Sequence, residues 1–115
     1  LGGISMVWGG QPPSCTPSGG VTARVVSTSV LYNSITIALT NYSQSQFTVH
    51  GEVTCNGKRD GFFDETAQPS DDGKNAKVTT FTYYPTEKVQ SAGSEGSTTF
   101  DTRYRARATY QEVCQ

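Results

Sequence analysis

Apolar and polar residues alternate along this chain with a period of two, in runs bounded by glycine, proline, asparagine and serine. Helical periodicity is almost absent. Val21, Ala23 and Val25 lie on one side of a run over 21–30, with Arg24 and Val26 on the other. Asn33-Ser34 turns the chain, after which Ile35, Ile37 and Leu39 alternate with Thr36, Ala38 and Thr40. Residues 41–45 read as a polar turn. Phe47, Val49, Gly51, Val53 and Cys55 then share one face against Thr48, His50, Glu52 and Thr54, and the Asn56-Gly57 pair that follows is a hairpin signal. The pattern lapses over 58–76, which predicts a long loop with at most a short edge strand around Phe62. It resumes over 77–84, with Phe81 and Tyr83 opposite Val78 and Tyr84, and Pro85 ends it. Residues 87–90 predict another edge strand, and 91–97 a flexible loop. In the last run Phe100, Tyr104, Ala106, Ala108 and Tyr110 face one way, and Asp101, Arg103, Arg105, Arg107 and Thr109 the other. Runs recurring at roughly ten-residue spacing predict an all-β chain. The expected architecture is a single antiparallel β-sandwich, immunoglobulin-like or jelly-roll-like.

One alternating run stands apart from this body. Ile4, Met6 and Trp8 alternate with Ser5 and Val7, between the glycine pairs Gly2-Gly3 and Gly9-Gly10 and ahead of Pro12-Pro13. Residues 1–14 therefore read as an extended N-terminal strand on a leash, and 15–115 as the sandwich. A strand carrying a tryptophan must bury it, in its own domain or in a neighbour's.

Composition narrows the class. At 115 residues the chain makes one domain, large enough to bury roughly 65% of its unfolded surface without a metal. It is 34% hydrophobic and only 17% charged, with Ser, Thr, Asn and Gln in place of charge, which suits an extracellular or secreted protein. A net charge of −1 carries no attraction for nucleic acid, and no apolar run approaches the ~20 residues of a membrane span. The chain opens on Leu1 rather than methionine, which reads as a processed, trimmed or incomplete chain. The three cysteines form no C-x-x-C, and with a single histidine a structural zinc site lacks ligands. Cys55 and Cys114 both fall in the inward phase at strand ends, so a bridge between them is expected, worth ~4 kcal/mol for a loop of that length. Cys15 is then a free or intermolecular thiol. A Cys15–Cys114 pairing stays open.

No catalytic constellation emerges, and no cofactor is implied. His50, outward between Thr48 and Glu52, reads as a solvated histidine, since no G-x-S-x-G supplies a nucleophile. Asp64-Glu65 beside Phe62-Phe63 is the one carboxylate pair near apolar residues, and a single loop rarely supplies both acids of a hydrolase. Residues 70–75 have the oxygens but not the spacing of a calcium loop and read as an acidic turn. Arg103, Arg105 and Arg107 predict a basic stripe that could grip an acidic partner, or else pair across strands with acids such as Glu52 or Asp101. Phe62 and Phe63 in their predicted loop are candidate contact residues. Asn41-Tyr42-Ser43 is the single glycosylation sequon, on a predicted turn.

A short apolar strand leashed by glycines and prolines ahead of a polar β-sandwich resembles the subunits of filaments that polymerise by donor-strand complementation, both pilins and archaeal thread-like filaments. The resemblance implies a non-enzymatic structural subunit of a cell-surface filament or pilus. Its partners would be copies of itself and, beyond them, a host surface or another cell. Ile4, Met6, Val7 and Trp8 would enter the neighbouring sandwich. The alternative is a secreted monomeric binding module or inhibitor acting through the Phe62-Phe63 loop or the arginine face.

Overall fold

The computed structural model describes residues 20–113. The expectations for Ile4, Met6, Val7, Trp8, Cys15 and Cys114, and the division after residue 14, lie outside the described residues. Within them the all-β expectation holds: two antiparallel sheets pack together as a sandwich.

The strands are β1 (Val21–Ser29), β2 (Ser34–Asn41), β3 (Phe47–Cys55), β4 (Lys58–Ala67), β5 (Lys77–Tyr83), β6 (Gly93–Ser94) and β7 (Tyr104–Val113). One sheet runs β5-β2-β1-β6 and the other β4-β3-β7. The chain makes a hairpin in the first sheet, crosses to make a hairpin in the second, returns to the first for β5 and β6, and crosses again for β7. Two turns use the left-handed backbone region that asparagine and glycine tolerate. Asn33 closes β1–β2 at φ 49°, while Asn56 and Gly57, at φ 53° and 79°, make the tight β3–β4 turn.

The inward phases meet as expected on β2 and β3. Ile37, Leu39, Phe47, Val49 and Val53 are fully buried between the sheets, with Val21, Val25, Ile35 and Phe63 around them. Burying a side chain of this size stabilises the fold by about 1.5–3 kcal/mol. Gly51 is the smallest member of this layer for a steric reason. A Cβ there would lie 2.1 Å from the Phe63 ring and 2.6 Å from the Arg107 carbonyl, so the edge-strand phenylalanine fills the space that glycine leaves.

Four expectations are corrected. Residues 58–67 form a ten-residue strand rather than a loop. Its inward positions, Gly61, Phe63, Glu65 and Ala67, hide the alternation, because an edge strand need not bury every inward residue. Residues 87–90 form no strand; this stretch is irregular, with Val89 buried in the core. The expected loop over 91–97 instead supplies the two-residue strand β6. The last run does not alternate uniformly: a register shift between His50 and Gly51 leaves Thr109 unpaired in β7, and every later residue changes face. Tyr110 therefore points outward, 54% exposed, and Gln111 turns toward the first sheet.

The sandwich has two side seams, and they differ. Between β4 and β5 the Phe63 and Phe81 rings meet at 5.0 Å. Nearby Tyr83 donates to Asp60 at 2.7 Å, and the same carboxylate accepts from the Thr86 and Glu87 amides at 3.0 Å. Burial, followed by the neighbouring Asp60, pushes the Tyr83 phenol well above its ordinary range. That seam is closed by side chains. The other lies between β1 and β7.

Candidate functional site

Strand β1 is an edge for most of its length. Its partner on the outer side, β6, pairs only with Ser27 and Thr28. Toward the other end, Val21 N–H donates to Gln111 Oε1 at 2.8 Å, and Gln111 Nε2 donates back to Val21 C=O at 3.1 Å. In an antiparallel pair successive residues point their backbone groups to opposite neighbours. Since Val21 directs both of its groups away from β2, Ala23 and Val25 do so as well. The next bond along this edge is Glu95 N–H to Val26 C=O at 2.9 Å. Among the described residues, the backbone groups of Ala23 and Val25 face the seam without a ladder.

Opposite that edge stands β7. A cleft of about 260 Å³ opens between them, with Ala23, Val25, Phe100, Tyr104 and Ala106 as its apolar lining and Arg24, Glu95, Thr102 and Arg105 at its margin. Ala23, Ala106 and Ala108 occupy inward positions yet are only partly buried. Three short side chains at one seam leave room where the opposite seam is filled by Phe63 and Phe81. On the rim, Arg24 reaches Glu95 at 3.4 Å and Thr40 Oγ1 at 3.0 Å.

The upper wall of the cleft is fastened by an ion pair. Asp101, 4% exposed, accepts from Arg103 Nε and Nη2 at 2.9 Å each and from Gln90 N–H at 2.9 Å. Arg103 also donates to the Lys88 carbonyl, and Asp101 N–H bonds Thr28 Oγ1 of β1. Chiefly through the Arg103 hydrogen bonds, the Asp101 carboxyl is held down to about 2. Tyr104 donates to the Glu87 carbonyl at 2.7 Å, and burial pushes its phenol up to about 12. The segment carrying Phe100 and Thr102 is thus tied to β1, β7 and the loop over 84–92.

The expected contact and cysteine sites separate. Arg103 lies in the turn before β7 rather than in a stripe, because it is the partner of buried Asp101. Arg107 pairs with Glu52 at 2.9 Å, and Arg105 is exposed. Glu52 across the strand pair and Asp101 in the same turn therefore account for two of the three arginines. Phe62 and Phe63 sit on opposite faces of β4. Phe62 is 65% exposed beneath the Arg59 guanidinium, and Phe63 is in the core. Asn41 is corrected as a glycosylation site. It is fully buried, and its amide nitrogen already donates to the Ser45 and Gln68 carbonyls.

Cys55 is buried and free, and no disulfide is found among the described residues; its expected partner, Cys114, lies outside them. Cys55 pairs with Tyr104 and Val113 with Phe47, at opposite ends of β3. Antiparallel neighbours put the two strand ends at opposite poles.

His50 is held more closely than a solvated histidine. Its ring nitrogens meet Asp64 on β4 and Glu112 on β7, and its ring stacks on Tyr110. The Glu112 bond, then the Asp64 bond, raise its pKa above 6.5. Asp72 hydrogen-bonds the Lys74 and Asn75 amides, so the residue-70–75 turn closes on itself. A larger cleft of about 380 Å³ at the β3–β4 turn contains Asp60, whose carboxylate is committed to Tyr83, Thr86 and Glu87. No group of three or more His, Cys, Asp or Glu among the described residues could hold a metal ion.

Gln111 and Asp101 carried no signal in the alternation, since one depends on a bulge and the other on a turn. The inward alanines on two strands were a legible sign of a gap. Comparison with protein-family models, curated proteins and solved structures returns no match.

Proposed function

We propose that the chain is a structural subunit of an extracellular filament, in which residues 4–8 of one copy complete the sandwich of the next along the β1–β7 seam. The observation that carries this reading is the unladdered edge of β1 at Ala23 and Val25, facing an alanine-lined cleft. An added strand there bonds backbone to backbone for affinity, and its alternate side chains fill the lining for specificity. The open edge runs over residues 22–25, between the bonds at Val21 and Val26, and the alternating segment of residues 4–8 is long enough to span it. Ile4, Met6 and Trp8 share one face of such a strand. Their burial contributes ~5–8 kcal/mol before ordering costs. A head-to-tail contact of this kind is heterologous and propagates as a fibre. On this reading the chain is not an enzyme, needs no cofactor, and has a body that folds without residues 1–14.

Negative-stain imaging and size-exclusion chromatography test it. The wild-type chain is expected to form filaments. Trp8→Ala, or removal of residues 1–14, is expected to give monomers with an unchanged circular-dichroism spectrum. A wild-type chain that stays monomeric at high concentration overturns the reading, and so does a Trp8→Ala chain that loses stability as a monomer without any change in assembly. The exposed ring of Phe62 under Arg59 favours a second reading, a binding module that uses the outer face of β4. In the filament reading, Phe62→Ala leaves assembly intact.

A further inference from the structure

The closed end of the cleft is built with some care. In uninterrupted alternation Gln111 would face solvent; the extra residue at Thr109 turns it toward β1 instead. Thr109 Oγ1 donates to the His50 carbonyl at 3.0 Å, and Glu112 meets the His50 ring, so the chain on both sides of Gln111 is held to β3. The amide of Gln111 presents one acceptor and one donor to Val21, which is the pair of bonds a neighbouring strand would make. Close approach continues beyond Val21: a Cβ at Gly20 would lie 2.8 Å from Gln111 Oε1. Bulges that re-aim a side chain recur at sheet edges and next to functional sites.

We infer that Gln111 is the register stop of the cleft, a side chain that imitates one rung of a β-ladder and ends an incoming strand at Ala23. This rests on the filament reading, with residues 4–8 of a second copy as the occupant. That segment lies within residues 1–19, which precede the described chain. A stop is needed because period-two side chains fit equally well after a slip of two residues, which keeps the same face inward. Beta6 closes the other end at Ser27. With both ends closed, one register satisfies Ala23 and Val25 together.

Amide hydrogen exchange on the wild-type chain, free and assembled, reads the stop directly. Assembly is expected to slow exchange at Ala23 and Val25 by at least about tenfold and to change Val21 by less than about twofold, because Gln111 already bonds it. Slowing at Val21 equal to that at Ala23 overturns the stop while leaving the filament reading intact. Free exchange at Ala23 and Val25 in native assembled material overturns both. In Gln111→Ala filaments Val21 is expected to gain the protection that assembly confers on Ala23, as the strand runs one rung further. Gln111→Glu keeps the bond from Val21 N–H and is expected to keep the stop. A Gln111→Ala filament in which Val21 exchanges freely in both states overturns the inference.

Discussion

Asp101→Asn replaces one carboxylate oxygen with an NH₂ group and leaves the shape unchanged. In the wild-type chain each oxygen already accepts two N–H groups: Oδ1 from the Arg103 amide and Nε, Oδ2 from Gln90 and Arg103 Nη2. Either orientation of the asparagine therefore sets two donors against its NH₂. It also leaves the Arg103 guanidinium, 19% exposed, without its counter-charge. Breaking one partner of a buried pair costs about 3–5 kcal/mol. Titration gives a separate handle. A carboxyl that titrates at about 2 when folded and 3.8 when unfolded contributes about 2 kcal/mol at neutral pH. The folded value is the depressed one, so this stability is present above pH 3.8 and lost as the pH falls through about 2. Urea unfolding followed by circular dichroism, at pH 7 and at pH 2, checks both parts. At pH 7 the variant is expected to unfold about 2 M earlier, for a slope near 1.5 kcal/mol/M. By pH 2 the gap narrows by about 2 kcal/mol, because the wild-type chain has itself begun to protonate. Equal midpoints at pH 7, or a gap unchanged at pH 2, would refute the assignment of this pair as the tie between the cleft wall and the loop over 84–92.

Two further outcomes follow from the sheet β4-β3-β7. The His50 ring is expected to titrate above 6.5 by NMR, so its stabilisation is complete below pH 6.5 and lost as pH rises through the folded value. In the chain carrying Glu112→Gln and Asp64→Asn the ring should titrate lower, and a wild-type value below 6.5 would contradict the clamp. Gly51→Ala forces a methyl to within 2.1 Å of the Phe63 ring, so thermal unfolding should fall by more than about 10 °C, for an overpacking cost near 3 kcal/mol.

Legibility along the chain tracked how completely each strand is buried on one face. Strands β2 and β3 could be read residue by residue, because Ile35, Ile37, Leu39, Phe47, Val49 and Val53 all point into one core. Strand β4 could not, since an edge strand tolerates Gly61 and Glu65 at inward positions. The ends of the chain's contacts were harder still. One unpaired residue at Thr109 reverses the face of Tyr110 and Gln111, and alternation offers no warning of it. Phase alone puts Cys55 inward at a strand end but does not name its neighbour; pairing sets it against Tyr104. The open edge of β1 depends on which strands become neighbours, and local pattern does not contain that.

Gly51 and Phe63 also set how this fold can vary over evolutionary time. The phenylalanine crosses from an edge strand into space that exists only while position 51 lacks a side chain, and Phe81 rests against the same ring. A larger residue at 51 requires a smaller one at 63, and the void left beside 81 then needs a new filler. These three positions are expected to change together or not at all among related chains, so their co-variation would identify distant relatives in which overall identity has faded.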